Sequence, residues 1–203
     1  MRAIVIPCSG KKDYGGSEIY DCPRLPITLG KACYSDLIEL RKEIARMLGL
    51  EPGPDLFGEM EGNNIKFEPA FERYNGILYQ YSNFSALYPK FQGKVFIISA
   101  LYGLLDASDF IRYYDLKMED ILPSGQKVYQ WWRNNGIEYL LKEALNGSGA
   151  TEVYDFLSIN YRRAVSLNEH NEKYKVYKHK SKNIRYSSLY ETADKLKEVL
   201  SIE

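Results

Sequence analysis

Histidine is nearly absent: His170 and His179 are the only two, and neither stands in a metal-ligand spacing or a recognisable triad. Imidazole-based metal and hydrolase chemistry therefore leave the first set of readings. Cysteine is also scarce, limited to Cys8, Cys22 and Cys33. An odd number in a chain without secretory features argues against a disulfide framework, and the missing CxxC spacing argues against zinc. An iron–sulfur cluster on all three would need the N-terminal loop to fold back on itself. No metal and no cofactor are expected. No apolar run approaches the roughly 20 residues that cross a bilayer. The apolar stretch after Arg2 is too brief for a signal-peptide core. The chain is expected to be soluble and cytoplasmic, with no membrane partner. An excess of either charge is lacking too, because 27 basic residues balance 27 acidic ones. Nucleic-acid binding would then need a local patch.

What is plentiful is tyrosine, with 18 copies. Its ring packs while its hydroxyl bonds, which suits both an amphipathic core and a half-wet cleft. The chain is long enough for one substantial core. Arg2 to Ile6 and Val95 to Ile98 are continuous apolar runs of the kind found in strands covered on both faces. Glu152 to Leu157 reads as a third strand, Gly76 to Tyr81 as another, and Tyr174 to His179 as an edge strand. Helical spacing runs from Tyr34 to Leu48, with Ser35 or Asp36 as cap and Gly49 as stop. Further helices are predicted over Ser82 to Tyr88, Gln126 to Asn134, Ile137 to Leu145, Asn160 to Asn168 and Ser187 to Leu200. Pro23 and Pro26 predict an irregular stretch, and Ala100 to Leu105 a turn. Strands alternating with helices predict an α/β fold: one domain over residues 1–203, with a mixed, mostly parallel sheet covered by helices.

Ligands in open α/β sheets collect beyond the carboxyl ends of the strands. Three candidate loops start there. After the first strand, Cys8, Ser9, Gly10, Lys11 and Lys12 combine a thiol, a hydroxyl, a flexible turn and two charges. Such an electropositive loop favours a thiolate, and its N–H groups can form an anion nest. In an enzyme, Cys8 would be the nucleophile and Lys12 its electrostatic partner. The alternative is a solvated turn with an inert cysteine. The second loop carries Ser99, Tyr102, Gly103, Arg112 and Asp115, with Tyr102 placed to stack on a base and Asp115 to fix its edge. Gly103 allows close approach of a ligand or of another part of the chain. The third loop carries Asn160, Tyr161 and Arg162 at the start of a helix, whose N–H groups favour an anion. If the three strands are neighbours, the loops share a pocket. A basic segment follows, with Lys173, Lys175, Lys178, Lys180, Lys182 and Arg185 interleaved with tyrosines. It suits phosphates and stacked bases, or a lysine-protected sheet edge.

The order of several motifs resembles the YaaA family of peroxide-stress proteins. Ser99-Ala100-Leu101-Tyr102-Gly103-Leu104-Leu105, then Ile111 to Met118, is similar to that family's S-G-L-Y-G-L-L and I-x-P-Y-R-L-x-M, with Tyr113 in place of Pro and Asp115 in place of Arg. Leu157 to Val165 is similar to its L-A-S-x-E-Y-x-x-A-V, and Tyr74 to Tyr79 to its F-x-G-x-V-Y. The first loop, through Pro7, Cys8, Lys12, Tyr14 and Ser17, also resembles a motif of archaeosine synthase, with Asp13 and Tyr20 replacing its Pro and His. The first resemblance implies peroxide protection, limitation of free iron and DNA binding. The second implies a transferase pocket for a modified base. The expected partner is DNA, RNA or a nucleotide-like small molecule.

Overall fold

The computed structural model describes residues 1–56, 64–167, 172–179 and 187–202. In chain order it contains β1 (Arg2–Pro7), α1 (Leu25–Leu29), α2 (Lys31–Met47), β2 (Phe67–Pro69), α3 (Ala70–Arg73), α4 (Ile77–Tyr81) and α5 (Phe84–Leu87). There follow β3 (Gly93–Ser99), β4 (Gly103–Asp106), β5 (Phe110–Arg112), α6 (Val128–Asn134), α7 (Ile137–Ser148), β6 (Glu152–Asp155), α8 (Ile159–Ala164), β7 (Lys175–Lys178) and α9 (Ser187–Leu200). Five strands form one sheet in the order β4-β3-β1-β6-β7. Its pairs are parallel except β3 with β4. This is the expected α/β architecture.

The apolar runs explain the centre of the sheet. Ala3 to Ile6 and Val95 to Ile98 are wholly buried, as a strand sandwiched between helix layers must be. The strand order also creates a switch point. From β1 the chain moves to β3 on one side, then returns past β1 to β6 on the other. The loops after β1 and β6 leave in opposite directions, and a crevice opens between them at the carboxyl ends.

Several local expectations are corrected. Gly76 to Tyr81 forms the short helix α4 instead of a strand. Its Leu78 and Tyr79 are buried, and the Tyr79 hydroxyl donates to the Pro7 carbonyl at 2.7 Å, so tertiary contacts decide its shape. Pro26 lies in the first turn of α1, where its missing N–H costs nothing. The stretch Ala100 to Leu105 is a reversal that runs into β4, which pairs back on β3 through Ser99 and Gly103. The buried Arg41 of α2 fastens this hairpin by donating to the carbonyls of Tyr102 (2.9 Å) and Leu104 (2.6 Å). α2 also begins earlier than its spacing suggested, at Lys31. The breaker at Asn146 takes effect only at Gly149, after the last turn of α7. The third strand ends at Asp155 and α8 at Ala164, both short of the stretches the sequence suggested.

A cysteine cleft at the switch point

Cys8 follows β1 directly, and its N–H donates to the Ile98 carbonyl of β3 at 2.9 Å. The loop beyond it is tied down. The Asn75 N–H donates to the Lys11 carbonyl at 3.0 Å, the Asp13 N–H to the Arg73 carbonyl at 2.8 Å, and Lys12 bridges to Tyr74. Gly76 permits this approach, since a Cβ there would fall 2.2 Å from Ser9 Oγ. The loop is therefore a fixed wall and not a freely solvated turn.

A cleft of about 430 Å³ lies against it. Cys8, Ser9, Gly10 and Lys11 form one side, Ile77 and Tyr79 of α4 another, and Tyr161 of α8 and Leu189 of α9 close it. Cys8 is only 7% exposed. Its Sγ lies 3.1 Å from the Tyr161 hydroxyl, which also lies within donating reach, 3.2 Å, of the Cys8 carbonyl. Burial, and then the neighbouring Cys8, raise the Tyr161 phenol well above its ordinary value, so it stays protonated. A protonated phenol can donate to the carbonyl while the sulfur is a thiol, or turn its hydrogen to a thiolate.

Behind the cleft, Lys12 is 5% exposed and its Nζ has no hydrogen-bond partner. The ammonium sits 4.0 Å from the Tyr114 ring centroid, a cation–π contact that partly replaces lost hydration. Burial lowers its pKa, while Cys8 and the exposed Asp115 act in the opposite direction. The hydroxyls of Tyr74, Tyr114 and Ser99 bond to one another at 2.8–3.4 Å under this lysine. Ser99 is thus internal scaffolding.

Other predicted site residues lie outside the cleft wall. Tyr102 is fully buried; its hydroxyl donates to Asp55 Oδ2 at 2.5 Å and accepts from the Arg112 N–H, so its ring has no open face for a base. Gly103 is needed for Trp132, whose Cζ3 would lie 2.5 Å from an added Cβ, and not for a ligand. Arg112 pairs with Asp55 through two bonds of 2.6 and 2.8 Å, which hold it inside the fold. Asp55 follows Pro52, Gly53 and Pro54 in the sequence. Arg162 points to the sheet edge, where it bonds Asp155 and the His179 carbonyl. Asn160 donates to Glu119. Of the basic segment, Lys173 and Lys175 are exposed and Lys178 is half-buried. Lys180, Lys182 and Arg185 lie outside the described residues, as does His170.

Among the described residues, no group of three or more His, Cys, Asp or Glu is placed to hold a metal, and no helix is long and apolar enough to cross a membrane. Sequence reasoning missed the depth of Lys12 and the role of Tyr79. The i+4 spacing of Cys8 and Lys12 gave no hint that a charged residue would turn inward.

Comparison with known proteins now adds to this geometry. A UPF0246 protein of Shewanella baltica is 34% identical over 76 residues, which are 36% of this chain and 29% of that protein. A UPF0246 protein of Methylibium petroleiphilum is 38% identical over 80 residues, 38% of this chain and 31% of its own length. One from Bordetella petrii is 32% identical over 100 residues, 46% of this chain and 39% of the relative. The aligned part thus spans about a third of the curated relatives it matches. The family model described as "Peroxide stress protein YaaA" matches residues 4–196, nearly the whole sequence. The chain therefore belongs to the YaaA peroxide stress protein family.

Proposed function

We propose that the cleft at Cys8 binds a small heterocyclic molecule of the nucleobase kind, and that Cys8 is its reactive group. The observation that carries this reading is the contact of Cys8 with the Tyr161 phenol at 3.1 Å in a cleft at the sheet's switch point. Apolar walls from Ile77, Leu78 and Leu189 suit a flat ring. The hydroxyl of Ser9 and the charge of Lys11 suit polar groups on its edge.

In this role Cys8 Sγ attacks an electrophilic carbon of the ligand and forms a carbon–sulfur bond. Its proton leaves through solvent or to the developing anion on the ligand. Tyr161 turns its O–H to the sulfur while the sulfur carries charge, and Lys12 supplies a positive field from behind. A thiol held in this way is in keeping with a family described by peroxide stress.

The test is thermal unfolding and native mass spectrometry with a series of purine and deazapurine bases and nucleosides. Saturable stabilisation is expected, with loss of binding or adduct in Cys8→Ala. Full binding in Cys8→Ala, together with no adduct in the wild type, would overturn the covalent role. No binding by any base would overturn the ligand class.

A second reading is DNA binding through the basic segment. Lys175 is exposed on the edge strand β7 and Lys173 is exposed just before it, which gives the cationic surface that a phosphate backbone needs. Its affinity should fall steeply with salt and depend on Lys173 and Lys175, with no dependence on Cys8.

A further inference from the structure

A second cleft, of about 660 Å³, lies between α6 with its preceding loop and α8. Arg133 and Arg163 line it together with Gln126, Tyr129 and Asn134, and among the described residues no carboxylate does. It shares no wall residue with the Cys8 cleft.

We infer that this cleft binds the phosphate of a phosphomonoester. Two guanidinium groups facing one space repel each other, and an anion between them relieves that repulsion. Two acids stand near the cleft outside its lining, and both have partners: Glu138 accepts from Lys142 Nζ at 2.6 Å and from the Ser166 N–H at 3.0 Å, and Glu119 accepts from Asn160. The pKa of Glu138 is lowered despite burial, first by its bonds to Lys142 and Ser166 and least by the charge of Arg133, with which it makes no hydrogen bond. Arg163 is steadied over the Tyr129 ring at 5.6 Å, and the long 3.4 Å bond to Asn160 Oδ1 leaves most of its fork open. Two planar forks offer more N–H donors than one carboxylate can accept, whereas a phosphate dianion has three terminal oxygens for them. Gln126 and Asn134 add neutral amide donors at the same cleft. The volume exceeds what inorganic phosphate fills and lies in the range of small-molecule sites, so the phosphate is carried on a larger group.

The inference does not rest on the Cys8 reading, and one experiment separates the two. Inorganic phosphate, ribose 5-phosphate, ribose and a single-stranded oligonucleotide, of which the first three carry no base for the Cys8 cleft, are titrated calorimetrically into the full chain at constant ionic strength. Saturable binding of the monophosphate is expected. It should weaken at least about tenfold in Arg133→Gln and in Arg163→Gln, less in Arg163→Lys, and stay unchanged in Cys8→Ala. Both arginines are exposed, so circular dichroism of the variants should match the wild type. Three results would overturn the assignment. The first is absence of saturable monophosphate binding, and the second is equal binding of ribose. The third is tight binding of the oligonucleotide alone, which would give the cleft to a phosphodiester backbone.

Discussion

Lys12 brings a charge to a position where it makes no hydrogen bond and meets the rings of Tyr114 and, farther off, Tyr74. A buried charge without a partner is normally lost in favour of an apolar group of similar length, because its hydration is not replaced. Lys12→Met keeps the stem and removes the charge. Its stability at neutral pH is therefore expected to equal or exceed the wild type by up to about 1 kcal/mol, as read from urea unfolding. The same variant should alkylate more slowly at Cys8 if the ammonium favours the thiolate. A large loss of stability would mean that Lys12 is structurally paired. The neighbouring phenol gives a complementary prediction. Tyr161→Phe removes one hydrogen bond near Cys8 and should cost about 1 kcal/mol. It should also change the iodoacetamide rate of Cys8, and an identical rate would remove Tyr161 from the thiol's chemistry.

At the scale of elements, the hairpin of β3 and β4 depends on a residue with no side chain. Gly103 has φ of +69° and sits against the Trp132 ring. Gly103→Ala combines a left-handed backbone with an overpacked contact, and should destabilise by about 2 to 4 kcal/mol. Asp109 plays a different part. Its Oδ1 accepts from the N–H groups of Arg24 (2.6 Å) and Leu25 (3.2 Å), so a distant carboxyl caps α1 in place of a local residue. Burial and the adjacent Asp106 push its pKa up to about 6. A carboxyl raised on folding binds its proton more tightly in the native state. Its stabilisation is full below the unfolded value near 4 and is lost as pH rises through about 6. The stability difference between wild type and Asp109→Asn should therefore shrink across that window, and a constant difference would show that Asp109 titrates normally. These elements also show how far sequence reading reached. The central strands were legible because burial on both faces writes an unbroken apolar run. α4 was not, because Gly76 to Tyr81 has strand-like composition and is bent by contacts with the first loop. The position of Tyr161 was legible from the strand it follows. The burial of Lys12 was not, because a lysine's default is the surface.

At the scale of the whole molecule, the Cys8 cleft joins elements far apart in the sequence. Its walls run from Pro7, the last residue of β1, to Leu189 in α9. α9 is anchored independently by buried Ala193, Leu196 and Val199, and by Tyr190 set edge-on against Tyr81 of α4. One wall residue can therefore be changed without releasing the helix. Leu189 is 39% exposed, so Leu189→Ala should cost less than the roughly 2 to 5 kcal/mol of a truncation in a closed core. It would nevertheless widen the cleft that Cys8 lines. The expected result is faster alkylation of Cys8 with only a small fall in melting temperature. A base that stabilises the wild type should stabilise this variant less, because binding energy enters stability only through the folded state that holds the ligand. If alkylation and ligand stabilisation are both unchanged, α9 is a brace for the sheet alone, and the recognition of any ligand at Cys8 belongs to the loop, α4 and α8.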